Sequence, residues 1–181
     1  MRAALRPIPP PIPMVEPPPT IAEDWLEALF RAHYTPLVRL VSGLLDDDAS
    51  CEEVVQDAFA SMIRSGRRPD PGKEPAYLRS AALNGARSRL RKRRVRRRHL
   101  EAVPDRADAA ETLAVTRLQN QEILAAIREL PARQADVLLL RYQADLSEAE
   151  IAETLGISPG SVKTHASRGL AAVRARLEVT P

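Results

Sequence analysis

An all-α fold of two small helical domains joined by a flexible linker is what this 181-residue sequence predicts, on three observations. Hydrophobic residues make up 44% of the chain but aromatics only 3%, so a core has to be built from Leu, Ala, Val and Ile. Those residues recur three and four apart, the spacing of one helical face, and the aromatic or alternating runs that favour strands are missing. Finally, the composition turns polar and acidic between Glu101 and Ala114, with Pro104, Asp105, Asp108 and Glu111. This stretch reads as a linker between a domain at residues 21–100 and a second at 115–178.

Composition also bounds function. Cys51 is the only cysteine, so neither an internal disulfide nor a cysteine zinc site can be assembled, and a reducing cytoplasmic setting is expected. No apolar run approaches the roughly 20 residues of a membrane span, and the N-terminus lacks the apolar block of a signal peptide, so no membrane insertion is expected. His33, His99 and His165 stand far apart in sequence, without metal-ligand spacing or a carboxylate partner. With no phosphate-binding glycine loop and no nucleophile elbow, the expectation is a protein without metal, cofactor or catalytic site. The net charge is only +3, yet the cations are concentrated, and their location matters more than their sum.

In chain order, residues 1–20 are proline-rich without periodicity and read as a disordered tail, with Met14 as a second candidate start. From Ile21 to about Arg64 two or three amphipathic helices follow. Trp25, Leu26, Leu29, Phe30, Leu37, Val38, Leu40, Val41, Leu44 and Leu45 supply the first apolar face. The segment from Asp46 to Ser50 breaks and caps. In the next helix Val54, Val55, Ala58, Phe59, Met62 and Ile63 lie on the apolar side, and Glu52, Glu53, Gln56 and Asp57 form an acidic and amide face. Charge pattern alone leaves that face open between a solubilising surface and an interface.

Ser65 to Pro75, with three prolines and two glycines, reads as a loop. The helix after it, about Ala76 to Leu100, carries ten cations in the twenty residues from Arg79 to Arg98, and no acid occurs between Glu74 and Glu101. Such a face repels itself unless a polyanion is present. Tyr77, Leu78, Ala81, Ala82, Leu83 and Leu90 still give it a core side, with Asn84 at the border.

After the linker, helices at about 115–129 and 131–144 are expected to place Leu118, Ile123, Leu124, Ile127, Leu130, Val137, Leu138 and Leu140 in the core. They support LSEAEIAETLGISPGSVKTHASRGLAAV, residues 146–173. Here Ser147 caps a helix, with Glu150 placed for a capping box. Gly156 ends that helix in a left-handed cap, and Ser158 followed by Pro159 starts the next. Val162, Ala166, Leu170 and Val173 continue the apolar stripe. The other face carries Ser161, Lys163, Thr164, His165, Ser167 and Arg168, all donors or cations. This is helix-turn-helix geometry, whose second helix reads the major groove.

Three stretches together are similar to the extracytoplasmic-function (ECF), or group 4, RNA polymerase sigma factors, over about residues 24–178. SCEEVVQDAFASMIR (50–64) resembles the family's region 2.2. PAYLRSAALNGARSRLRKRRVRR (75–97) resembles regions 2.3 and 2.4, with the usual tryptophan-rich opening reduced to Tyr77. LPARQADVLLLRYQADLSEAEIAETLGISPGSVKTHASRGLAAVRARL (130–177) resembles region 4.

The resemblance implies a transcription initiation factor with two partners, bacterial core RNA polymerase (β′ clamp helices and β flap) and promoter DNA. It puts Glu52, Glu53, Val54, Val55, Gln56, Asp57 and Phe59 on the polymerase-binding helix. Tyr77, Arg79, Asn84, Arg87, Arg91 and Arg94 would read the -10 element, with Asn84 at the position that takes a flipped base. Ser158, Pro159, Gly160, Ser161, Lys163, Thr164, His165 and Arg168 would read the -35 element. An anti-sigma factor is a further partner that many relatives have. EIAETLGISPGSVKTH also fits a LuxR-type stand-alone regulator that binds DNA as a dimer, but residues 21–100 resemble neither the receiver nor the ligand domain of such a protein. An RNA-binding role for the arginine-rich helix would leave the acidic face unexplained.

Overall fold

The computed structural model describes the backbone of residues 21–65, 69–99 and 114–179, and the side chains of 24–65, 69–96 and 121–178. The proline-rich segment 1–20 and residues 101–113 of the expected linker lie outside these. Among the described residues there are seven helices and no strand: α1 (Ile21–Ser42), α2 (Asp48–Arg64), α3 (Glu74–His99), α4 (Ala114–Arg128), α5 (Ala132–Tyr142), α6 (Glu148–Leu155) and α7 (Pro159–Val179).

In the N-terminal half α1, α2 and α3 pack on one another. Asp47 caps α2 by accepting from the Ser50 backbone N–H at 2.7 Å, as its place in the DDDAS break predicts. The face formed by Cys51, Val54, Val55, Ala58, Phe59 and Met62 is buried against Leu37, Leu40, Val41, Leu44 and Leu45 of α1 and the following turn, and Leu78, Ala82, Leu83 and Ala86 of α3. Burial in α3 stops there; Leu90 is only partly covered, and none of the described residues that follow, 91–96, is buried.

Four apolar residues expected in the core are not there, and one of them is Tyr77, which lies at the start of α3 and is exposed. Phe30 stacks on Tyr34 at 4.6 Å between ring centroids yet stays exposed. Ile63 is 57% exposed, because it falls past the edge of the stripe that ends at Met62, and Ile123 of α4 is exposed as well. Leu118 lies outside the described side chains.

The C-terminal half builds on α5, whose Ala135 to Leu140 are all buried. It packs on α6 and α7, with Ile151, Val162 and Val173 as buried anchors. The two halves share one contiguous apolar core. Gly43, just after α1, is what lets α5 approach: a Cβ there would come within 2.5 Å of Leu139 Cδ2 and Gln143 Oε1.

Candidate polymerase and nucleic-acid interfaces

The helix-turn-helix is built by its local sequence. The Ser147 hydroxyl accepts from the Glu150 N–H at 3.3 Å, and the Glu150 carboxylate accepts from the Ser147 N–H at 2.9 Å, which completes the capping box. Donation to the Glu150 carboxylate from the Ser147 hydroxyl, at 2.6 Å, and from the Ser147 N–H holds that carboxyl below the usual range. Gly156 adopts φ +62 and closes α6 in the left-handed conformation that a Cβ would strain. Ser158 then accepts from the Ser161 N–H at 3.1 Å, and α7 begins at Pro159.

On α7 the face away from Val162 is open. Ser158, Pro159, Gly160, Lys163, Thr164 and Arg168 are exposed. Arg168 has no ion-pair partner among the described residues, and Lys163 lies 3.6 Å from Glu148. Ser161 and His165 are half-buried, and His165 Nδ1 is covered without a hydrogen-bond partner. His165 is therefore turned further inward than its place on the polar face predicts, because it borders the stripe that buries Val162 and Val173.

On α2, Glu52, Glu53, Gln56 and Asp57 are exposed together, whereas Val54, Val55 and Phe59 are buried in the core and hold the helix from behind. Glu53 pairs with Arg89 of α3, and Asp47 pairs with Arg93. Burial alone would raise the Asp47 carboxyl, but its bonds from Ser50 and the Arg93 guanidinium bring it below the ordinary value. Cys51, on the buried face, is pushed up to about 11 by desolvation and by Asp47 and Asp48, so the thiol stays protonated at neutral pH.

The α3 surface is divided. Tyr77, Asn84, Arg91 and Arg94 are exposed. Arg79 and Arg87 instead face the C-terminal half. Arg79 is half-buried, its pKa lowered by desolvation against the pull of Glu150 and Glu153, and its Nε has no partner. It lines a cavity of about 360 Å³ with His33, Gln143 and Asp145. Arg87 pairs with Asp136 of α5, and burial beside Arg133 and Arg91 lowers it to about 10. Asp136 was not singled out from the sequence, although the signal exists: one acid inside ADVLLL, at core register, requires a buried partner. Among the described residues, no group of three or more His, Cys, Asp or Glu is placed to hold a metal.

A capped helix-turn-helix with an open donor face, beside a helical unit with an arginine-rich helix and an exposed acidic face, defines a DNA-binding protein of the transcription machinery. Residues 29–96 match the family described as Sigma-70 region 2, and residues 120–173 match Sigma-70, region 4. The RNA polymerase sigma-E factor of Streptomyces antibioticus is 30% identical over 155 residues, 84% of this chain and 84% of that protein. The RNA polymerase sigma factor CarQ of Myxococcus xanthus is 29% identical over 159 residues, 84% of this chain and 89% of that one. The fold is also that of the sigma factor RpoE in its co-crystal structure with the anti-sigma factor NepR from Bartonella quintana, with a TM-score of 0.67 at 20% identity, covering 88% of this chain and 99% of that one. The chain belongs to the ECF RNA polymerase sigma factor family, and it directs RNA polymerase to promoters. Region 2 and region 4 in that order, with relatives that span nearly their whole length, disfavour the stand-alone LuxR-type regulator.

Proposed function

We propose that this chain is a group 4 sigma factor that works in the bacterial cytoplasm and has no catalytic activity of its own. Residues 21–100 bind the polymerase and read the -10 element, 101–114 link, and 115–178 read the -35 element. The observation that carries this reading is the sidedness of α2: one face is fully committed to the core, and the opposite face presents Glu52, Glu53, Gln56 and Asp57. A helix held rigidly from behind, with a compact acidic and amide front, suits docking on the β′ clamp helices, and region 4 would reach the β flap.

At the promoter, Asn84 and Tyr77 of α3 are exposed and available to an unstacked base, with Arg91 and Arg94 on phosphates. Ser161, Lys163, Thr164 and Arg168 would meet the major groove of the -35 element, and Ser158, Pro159 and Gly160 would set the depth at which α7 enters. Neither reader needs to bind tightly, since polymerase presents both to one DNA and converts the second contact into an intramolecular one. The RpoE and NepR complex makes an anti-sigma factor a reasonable further partner.

The test is co-elution with core RNA polymerase. The parent chain should co-elute, and the double variant Glu53→Lys with Asp57→Lys should lose at least tenfold in affinity while keeping its helicity. A folded double variant that co-elutes like the parent overturns the assignment of the α2 face.

A further inference from the structure

The acids of α6 have separate partners. Glu150 closes the capping box with Ser147, and Glu150 and Glu153 act on Arg79 of α3. Glu148, the first residue of the helix, turns to the other side. Its Oε2 lies 3.6 Å from Lys163 Nζ of α7, and its Oε1 lies 3.5 Å from Arg141 Nη1 of α5. One carboxylate thus stands between cations of the two helices that flank α6, with 33% of its side chain exposed.

The other polar groups at the start of α7 are occupied locally. Thr164 donates its hydroxyl to the Gly160 carbonyl at 3.0 Å, and the Ser161 and Ser158 hydroxyls share a hydrogen bond at 2.9 Å. Lys163, the fifth residue of α7, is instead restrained from a neighbouring helix while 70% of its side chain stays exposed. That restraint matters for a lysine. Its ammonium sits on a flexible four-carbon stem, and near the N-terminus of a recognition helix it has two kinds of target. A phosphate carries no sequence information, whereas a base edge does.

We propose that Glu148 is a specificity-determining residue that acts through Lys163, holding the ammonium off the phosphate backbone and toward the base edges, where guanine offers O6 and N7 as adjacent acceptors. This rests on reading α7 as the -35 surface, and adds a base that one of its residues selects. Glu148 is a positioning residue and touches no base itself. Arg141 braces it from behind, so that three helices fix where the ammonium points. The carboxylate has a second effect: its charge near the phosphates weakens binding to every sequence, which leaves the correct base contact to make the difference. An acid in the first turn also suits the helix dipole, but that role alone predicts no base preference.

The experiment uses holoenzyme reconstituted from core polymerase and the full chain, with a duplex library randomised over the -35 segment. The selected sequences give the base preference at each position. The parent should favour guanine at one position, and Lys163→Met should abolish that preference. Glu148→Gln should reduce it about threefold to fivefold, the scale of an exposed ion pair. At the same time, binding to duplex without the element should rise about twofold as the negative charge is removed. Glu148→Asp keeps a charge in the first turn but falls one methylene short of Lys163, and should resemble Glu148→Gln in base preference. In the Lys163→Met background, Glu148→Gln should leave the profile unchanged.

The parent's profile in folded Lys163→Met or folded Glu148→Gln overturns the proposal, as does a loss of preference at different positions in the two. Glu148→Asp matching the parent overturns it too, by reducing Glu148 to a helix-dipole role. A shared position that favours another base overturns the guanine assignment. If Glu148→Gln loses its helicity, Arg141→Met, which removes the brace, decides by the same readout with a smaller loss. A parent holoenzyme that selects no sequence over this segment removes the -35 reading itself, an outcome distinct from a selective parent whose preference ignores Glu148.

Discussion

Helices α3 and α7 carry the two basic surfaces of this protein, and they are held in opposite ways. The polar face of α7 is set by signals within about 15 residues of it: the capping box of α6, Gly156, and the Ser158 cap. Its Arg168 is exposed and has no ion-pair partner among the described residues. The cations of α3 are tied across long sequence separations, Arg87 to Asp136, Arg89 to Glu53 and Arg93 to Asp47. A face held by local caps is available whatever the rest of the chain does, whereas one held by distant carboxylates depends on which neighbours are docked.

Substitutions can break that comparison, and the largest effect belongs to α3. Arg87→Ala leaves the Asp136 carboxylate buried without its partner and should cost about 3–5 kcal/mol, read as a lowered midpoint of denaturant unfolding. A midpoint within error of the parent would mean that the pair contributes nothing. Next comes Gly156→Ala, which forces a Cβ into φ +62 and should cost about 1–2 kcal/mol by the same assay, with the loss concentrated in hydrogen-exchange protection of α6 and α7.

Ser147→Ala removes the cap and should cost about 1 kcal/mol. Asp47 and Glu150 both titrate below their ordinary values of 3.8 and 4.5 in the fold, so their contributions are fully present above those values and fade as pH falls through the lower folded ones. Melting temperature measured from pH 7 to pH 3 should therefore hold through neutrality and drop below about pH 4.5, and Asp47→Asn with Glu150→Gln should flatten that drop.

Smallest in stability is Arg168→Ala on α7, which should stay within about 0.5 kcal/mol of the parent. It should nevertheless weaken binding of polymerase holoenzyme to a duplex carrying the -35 element by about tenfold, with core binding unchanged. An equal stability loss at Arg87 and Arg168 would erase the distinction between the two helices.

Most of the helical architecture was legible in the chain because its signals are short-range. The α2 boundary at Asp47, the turn at Gly156 and the start of α7 at Pro159 each follow from a cap or a backbone preference acting within one turn. The sidedness of α2 was legible for the same reason. Less so was the margin of each stripe: periodicity names Phe30, Ile63 and Ile123 as apolar but does not say whether a neighbouring helix arrives to cover them, and none does fully. His165 errs in the other direction, turned inward at the border of a stripe that periodicity drew one residue too narrow.

Sequence by itself determined what each helix is and which face of it is apolar, since caps, turns and a 3.6-residue period act on residues a few positions apart. It also determined the family, through region 2 and region 4 in order. Only the tertiary structure decided which cations remain open to DNA. Asp136 lies 49 residues beyond Arg87, and nothing within a helical turn of either foretells that burial will bring them together. Local propensity cannot carry that information, because the pairing is fixed by how two apolar faces dock and by the need of a buried charge for a partner.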